Sequence, residues 1–263
     1  PIRIDTIELL EAAGRRLVFR VSCSKGTYIR TLVEDIAKTA GTLAHTSRLH
    51  RESVAGFEAA GMLDLPEAAA LPQSGVIALQ ALRDDARLRA GEHILVNGGG
   101  GGGGSFAIQF AKALGAQVTA ADSAEKAGLM RSLGADRALD YRTEDAFATP
   151  ARYDVILDFV AARSFAATRR ALKPGGRAML VGGPWGRVLF AGLAGPLLAR
   201  FDTRRVGLFM WQRNAADLQE LANRAAGGDV TVAIDRSFPL AQVPQALAYL
   251  GAGHARGKVV IVP

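Results

Sequence analysis

The sequence predicts an α/β protein built on a doubly wound, parallel sheet, preceded by a small α+β segment. Three observations carry that expectation. From residue 93 onward, β-rich segments (93–97, 117–121, 137–139, 154–158, 177–182 and 205–209) alternate with helix-like ones (105–114, 124–133, 163–172 and 214–226). Such alternation is the mark of a parallel sheet wound by right-handed crossovers. Seven consecutive glycines, Gly98 to Gly104, stand between the first of these strands and the first helix. Ahead of residue 66 the order differs: strand-like segments 4–12 and 16–22 flank Ala13-Gly14-Arg15, and one amphipathic helix follows, ended by Gly41.

The glycine run is the stretch around which the rest is organised. His93 to Asn97 is a short β-rich segment, and Ser105 to Leu114 places Phe106, Phe110 and Ala113 at helical spacing before Gly115. A strand, a glycine turn and a helix make a phosphate-binding unit, because the backbone approaches the anion closely and the helix N–H groups and dipole favour its charge. Gly98, Gly101 and Gly104 have the dinucleotide spacing, although seven glycines satisfy almost any glycine pattern. A flexible interdomain linker is the alternative, disfavoured because the flanks are strand and helix with no polar spacer. Composition gives no reason for all seven positions, since each glycine loses extra entropy on folding.

At 263 residues, 49% hydrophobic and 22% charged, the chain has material for one large globular domain or two ordinary ones. No apolar run approaches the roughly 18 residues of a membrane span, and no signal-peptide pattern opens the sequence, so a cytoplasmic protein with no membrane partner is expected. Cys23 is the single cysteine, so no disulfide forms within the chain, which suits a reducing compartment. The net charge of +7 is not concentrated: residues 1–65 hold nine Lys/Arg against eight Asp/Glu. The later arginines, Arg163 to Arg213, are scattered as on a solvated or anion-binding face rather than a nucleic-acid groove.

The string Cys23-Ser24-Lys25-Gly26-Thr27-Tyr28-Ile29-Arg30-Thr31-Leu32 precedes Gly41-Thr42-Leu43-Ala44-His45 and Leu49-His50-Arg51. Over residues 1–65 the chain thereby resembles the C-terminal part of the catalytic domain of bacterial tRNA pseudouridine synthases of the uridine-55 type. The resemblance implies that Tyr28 contacts the target base, Arg30 pairs with the catalytic aspartate and Leu49 lines the pocket. Independently, a Tyr two residues before an Arg on a strand shares its face, which suits base stacking beside a phosphate or carboxylate. Ordinary strand residues are the alternative. The family's catalytic aspartate lies ahead of this segment in a Gly-x-Leu-Asp motif. Gly61-Met62-Leu63-Asp64 imitates it but follows the Tyr28 string, and Glu67 and Ala69 break its continuation. Asp64 therefore reads as a chance match, and pseudouridine chemistry lacks its nucleophile.

At Pro66-Glu67-Ala68-Ala69-Ala70-Leu71-Pro72 the character changes. Gly75 to Arg83, Gly91 to Gly98, Leu133-Gly134-Ala135-Asp136, Tyr153 to Asp158, Ala171 to Gly176 and His254 to Ile261 carry a second resemblance. Residues 66–263 resemble the cofactor-binding half of zinc-free medium-chain dehydrogenase/reductases of the quinone-oxidoreductase type. The resemblance implies a Rossmann domain with a C-terminal return segment, an NAD(P)(H) cofactor and no metal. It also implies hydride transfer to or from a small carbonyl, quinone or enone. The expected domains are 1–65 and 66–263.

In a dinucleotide fold an acid ending the second strand binds the adenosine ribose hydroxyls and repels a 2′-phosphate. Asp122 lies 18 residues after Gly104 and 24 after Gly98, near the usual offset of about 20. Capping a helix that begins near Ala124 is the alternative role. Ser123 and Lys126 argue the other way, because similarly placed groups in the family accept a 2′-phosphate; NAD is slightly favoured over NADP. By the resemblance, Tyr141 lies beside the adenine, and Gly182 and Gly183 pass the nicotinamide half. Ile77 and Phe159 depart from the family's usual Thr and Asn, and a pseudouridine-synthase-like piece stands in place of its substrate domain. The chain thus reads as two enzyme halves joined near residues 66–72, whether a fusion, an engineered chimera or a wrongly assembled sequence, and poor turnover is expected. Its expected partners are a nicotinamide dinucleotide, a small-molecule substrate and a second copy in a homodimer. RNA is the partner only in an alternative reading resting on Lys25, Tyr28, Arg30 and Arg51.

Overall fold

The computed structural model describes residues 2–24, 26–49, 53–54, 57–58, 63–198 and 201–263, and it divides into two compact units, Pro1–Ala59 and Ala60–Pro263. In the first unit, β1 (Ile4–Ala13) and β2 (Arg16–Cys23) form an antiparallel hairpin whose turn uses Gly14 at φ 57°. Its register sets Ile7 against Val21 and Leu9 against Phe19, while Glu8 meets Arg20. α1 (Ile29–Thr39) follows, and β3 (Ser53–Val54) pairs antiparallel with β4 (Phe57–Glu58). Ala37 is the only buried apolar side chain among this unit's described residues; Ile7, Leu9 and Leu17 are 50–60% exposed.

The second unit opens on α2 (Leu65–Ala70), which Asp64 caps. The Asp64 carboxylate accepts from the Glu67 N–H at 2.7 Å, and the Glu67 carboxylate accepts from the Asp64 N–H at 3.3 Å. This reciprocal box satisfies two otherwise orphaned donors and gives Asp64 a structural task. α3 (Ser74–Gln80) runs on through a π-helical turn, Ala81–Asp85. Next come β5 (His93–Asn97), α4 (Gly102–Ala113), β6 (Gln117–Asp122), α5 (Ala127–Ser132) behind a 3-10 turn (Ala124–Lys126), and β7 (Arg137–Asp140). They are followed by β8 (Tyr153–Asp158), α6 (Phe165–Ala171), β9 (Leu172–Leu180), α7 (Trp185–Leu198) and β10 (Arg205–Leu208).

These strands make one parallel sheet in the order β10-β9-β8-β5-β6-β7. Winding runs outward in both directions from between β5 and β8, the crevice where doubly wound sheets take ligands. α8 (Ala215–Ala226), β11 (Ile234–Pro239), α9 (Val243–Gly251) and β12 (Lys258–Val262) return the chain, with β11 and β12 paired in parallel.

A parallel sheet covered on both faces needs apolar residues at successive positions, and β5 supplies them. Ile94 and Val96 join Phe106, Ile108 and Met130 on one side, while Leu95 joins Ile156, Phe147 and Tyr153 on the other. Buried Gln80 donates to the Asp217 carboxylate at 2.6 Å, and Arg83 reaches Asp217 and Glu220, tying α3 to α8. β9 begins at Leu172, earlier than the expected 177. Tyr153 pairs with Leu172 but Val155 with Arg177, so the intervening residues bulge and Pro174 sits where no ladder bond is needed.

Beneath the sheet, the His93 N–H donates to Asp154 at 2.8 Å, and Lys173 pairs with the same carboxylate at 2.7 Å. The His93 Nε2 lies 2.8 Å from Thr119 Oγ1. Burial, helped by the charges of Arg152 and Lys173, holds the imidazole below its ordinary value. The fold therefore favours the neutral ring, and its stability is lost as pH falls from the ordinary histidine value of about 6.5 toward the lowered one. His93→Gln should flatten the urea-midpoint curve between about pH 7 and 5; an unchanged slope would refute the assignment.

Candidate functional site

Packing accounts for the glycine run. Gly98 leaves β5 at φ 85°, and its N–H and that of Gly99 donate to the Ala121 carbonyl at the end of β6. A Cβ on Gly99 would stand 2.8 Å from the Ala120 methyl, one on Gly100 2.6 Å from the Lys126 stem, and one on Gly102 2.8 Å from the Lys258 stem. At Gly103 it would strike the Phe159 ring, and at Gly104 the Gly98 carbonyl oxygen. Gly101 alone has room, its nearest neighbour being Gly98 O at 3.5 Å. The close approach of Phe159 to Gly103 also gives that departure from the family pattern a packing role.

Gly101 is the N-cap of α4 and offers no side-chain acceptor, so the first N–H groups of this 12-residue helix remain for an external anion. The return segment closes over the turn: the Gly257 N–H donates to Gly100 O at 2.8 Å. Next to it, Lys258 reaches Ser74 Oγ at 3.0 Å, and no carboxylate pairs with it among the described residues. Burial lowers its pKa. Lys258 escaped the sequence reading; it sits in the quoted Gly257-Lys258 string, but nothing local reveals a partner more than 150 residues away.

Asp122 ends β6, and both its oxygens are engaged. Oδ2 accepts from the Gly100 N–H at 3.0 Å, and Oδ1 accepts from the Ser123 N–H at 2.8 Å and meets Lys126 Nζ at 3.2 Å. The two side chains of this pair are only 9–12% exposed, so Asp122 is not the exposed helix-capping residue of the alternative reading. Ser123 is buried beside it. Tyr141 follows β7, its N–H on Asp122 O at 3.1 Å, and its half-exposed ring lies under the Arg142 guanidinium, itself paired with Glu125.

Across the crevice, Asp158 ends β8 fully buried. Its Oδ1 accepts from Asn97 Nδ2 at 2.7 Å, the Val160 N–H at 2.9 Å and the Ala161 N–H at 2.8 Å, while Oδ2 is buried without a partner among the described residues. Burial raises its pKa despite those bonds. Gly182 and Gly183 follow β9; a Cβ on Gly183 would stand 2.5 Å from the Ala161 methyl. Gly98 to Gly104, Asp122, Ser123, Lys126 and Tyr141 thus gather at the carboxyl ends of β5, β6 and β7, and Gly182 and Gly183 at that of β9.

In the first unit Tyr28 and Arg30 are not strand residues. Tyr28 is the extended N-cap of α1 and 78% exposed, while Arg30 lies in the first helical turn. Two positions apart around a helix point to nearly opposite sides, so the shared strand face is lost. The glycine-containing bend at Gly26 precedes them and α1 begins earlier than the strand pattern implied. Leu49 is 46% exposed. Lys25, His50, Arg51, Gly61 and Met62 lie outside the described residues.

The parallel sheet, its switch point and the glycine turn make a Rossmann-like fold. Residues 133–261 match the family model described as zinc-binding dehydrogenase. Over 207 residues the chain is 32% identical to the chloroplast envelope quinone oxidoreductase homolog of Arabidopsis thaliana, covering 75% of this chain and 62% of that protein. A mycobacterial protein solved in complex with NADPH superposes with a TM-score of 0.64 at 29% identity, covering 76% of this chain and 65% of that one. A stretch of 91 residues, overlapping that match, is 43% identical to tRNA pseudouridine synthase B of Idiomarina loihiensis, covering 35% of this chain and 29% of that protein. The chain therefore spans at most about three-fifths of the length of these curated relatives. Residues 66–263 resemble the cofactor-binding half of medium-chain dehydrogenase/reductases of the quinone-oxidoreductase type, and residues 1–65 resemble part of the pseudouridine synthase.

Among the described residues no three His, Cys, Asp or Glu side chains cluster as a metal site would require. No described helix is long and apolar enough to cross a membrane.

Proposed function

We propose that the second unit binds a nicotinamide dinucleotide and is the cofactor half of a zinc-free oxidoreductase acting on a small carbonyl, quinone or enone. The observation that carries this reading is the open cradle at Gly101: six crowded glycines surround the one position with space, at the start of an uncapped helix. The pyrophosphate belongs there, with Lys258 as its cation; Gly98, Gly101 and Gly104 shape the approach, Tyr141 flanks the adenine, and Gly182 and Gly183 border the nicotinamide. When bound, the dinucleotide supplies the hydride donor or acceptor. The chain's own part is to hold and orient it.

NAD(H) is the favoured form. Both cations near Asp122, Lys126 and Arg142, already have carboxylate partners, so a 2′-phosphate would face Asp122 without a free counter-charge. Such charged hydrogen bonds are worth about 1–2 kcal/mol when partly solvated, roughly ten-fold in affinity. Asp122→Ser should erase or invert the preference by releasing Lys126. Because Asp122 also holds the Gly100 N–H, the variant should lose stability as well. Titrations of both proteins with NADH and NADPH, read by cofactor fluorescence, test this; tighter NADPH binding by the parent would mean that Ser123 and Lys126 dominate. A uridine-bearing stem-loop tests the RNA reading, which the stretch similar to the pseudouridine synthase favours. It should bind weakly with steep salt dependence, and tight binding at 200 mM salt without any dinucleotide binding would reverse the ranking. Turnover of either chemistry by these residues alone should be low, since positioning and desolvation of a substrate supply much of an enzyme's rate.

A further inference from the structure

A cavity of about 460 Å³ lies between the starts of α6 and α7 and the end of β9, outside the dinucleotide cradle. Its floor is apolar: Leu180 and Ala191 are buried, and Phe165 and Phe190 meet edge to face at 5.6 Å between ring centres. Its mouth carries two guanidinium groups with different fates. Arg163 is neutralised by Asp145 at 3.1 Å. Arg187 donates one N–H to the Ala161 carbonyl at 3.2 Å and has no carboxylate partner among the described residues. The planar fork of Arg187 therefore keeps donors for a bidentate acceptor. An apolar chamber with one convergent charged group is the usual form of a small-molecule site, and this volume is within the ordinary range.

We infer that this cavity is a binding site for a small aryl carboxylate, with the ring on the Phe165–Phe190 pair and the carboxylate on Arg187. An apolar pocket alone would accept a neutral aromatic equally well; the unpaired guanidinium selects the anion. The site does not depend on the dinucleotide reading, because none of the cradle residues lines it.

Calorimetric titration of the full chain with 1-naphthoate, and with the neutral 1-naphthalenemethanol as its isostere, tests the assignment. The parent should bind naphthoate at least ten-fold more tightly than the alcohol. Arg187→Gln should remove that difference while leaving the affinity for the alcohol and for NADH unchanged. Phe190→Ala, at a half-exposed position that folding tolerates, should weaken both aromatic probes. Equal affinity of the parent for the two probes would overturn the inference, as would naphthoate binding indifferent to both substitutions. NADH titrated in parallel separates the two readings: absence of NADH binding with naphthoate binding intact removes the cofactor assignment alone.

Discussion

Gly104→Ala is expected to abolish dinucleotide binding and to cost the second unit at least about 3 kcal/mol, at or beyond the upper end of ordinary overpacking. The new methyl would strike the Gly98 carbonyl oxygen and lie 2.6 Å from Gly99 Cα and 2.8 Å from the Gly98 carbonyl carbon. All three are backbone atoms of the turn, so no flexible side chain can yield. Relief requires α4 to move off β5, and α4 is held there by Phe106 and Ile108, both fully buried. Gly101→Ala makes the opposite case. Its φ of −89° suits any residue, and the methyl finds only an ordinary contact. The fold should survive with a loss of a few tenths to about 1 kcal/mol at the cap, yet NADH should bind much more weakly because the methyl occupies the phosphate approach. Urea midpoints and NADH titrations on the two variants separate packing from binding. A fully stable Gly104→Ala protein, or a Gly101→Ala protein that binds NADH like the parent, would contradict this account of the turn.

The glycine run illustrates how far the sequence was legible. Its place between strand and helix could be read from local pattern, because 93–97 is a short apolar run and 105–114 repeats at helical spacing. The reason for most of the glycines could not, since the atoms that forbid side chains at Gly99, Gly100, Gly102 and Gly103 come from Ala120, Lys126, Lys258 and Phe159, distant in sequence. For the same reason α4 starts at Gly102, inside a run with poor helix propensity: packing outweighs propensity there. The element α7 was missed because residues 185–198 are apolar without a clean period, so neither helix nor strand spacing stood out. β11, α9 and β12 also alternate, but β11 carries Asp235, Arg236 and Ser237 in its middle and so shows no apolar run.

One misreading has a different origin. Tyr28 and Arg30 fit a strand face by spacing, but β2 stops at Cys23, Gly26 turns at φ 90° and α1 begins at Ile29. Asp64 reads as a chance match to a catalytic string, and its structural task was legible too: Asp-x-x-Glu ahead of an alanine-rich segment is a helix-start signal, and the capping box is formed. Asp122 was found by its offset from the glycines, yet its bonds to Gly100 and Lys126 depend on a close approach that only the folded crevice creates.

Asp158 went unread because a buried aspartate at a strand end has no sequence signature, and its removal should have the second large effect. Asp158→Ala is expected to destabilise the second unit by about 3 kcal/mol or more, because three donors lose one acceptor and unpaired buried groups cost about 1–3 kcal/mol each. Those donors are Asn97 Nδ2 and the Val160 and Ala161 N–H groups, so the end of β5 and the loop after β8 loosen together. Ala161 holds φ 47° and packs beside Gly183, and NADH affinity of the folded fraction should fall with it. Asp158→Asn should cost less than Asp158→Ala: its carbonyl oxygen still accepts at the Oδ1 position, while its NH2 stands unpaired where Oδ2 has no partner among the described residues. The pH dependence carries the sign. Burial raises the Asp158 pKa above the unfolded value, so the carboxyl group's stability contribution is full below the ordinary aspartate range and is lost as pH rises through the raised value. The parent should therefore lose stability relative to Asp158→Asn as pH climbs above the ordinary aspartate value of about 4. Urea denaturation of the three proteins across that range decides the matter. If the Asn variant proves as unstable as Ala, the three-donor cluster is not what holds the end of β8; if its advantage over the parent shrinks with rising pH, the charge assignment fails.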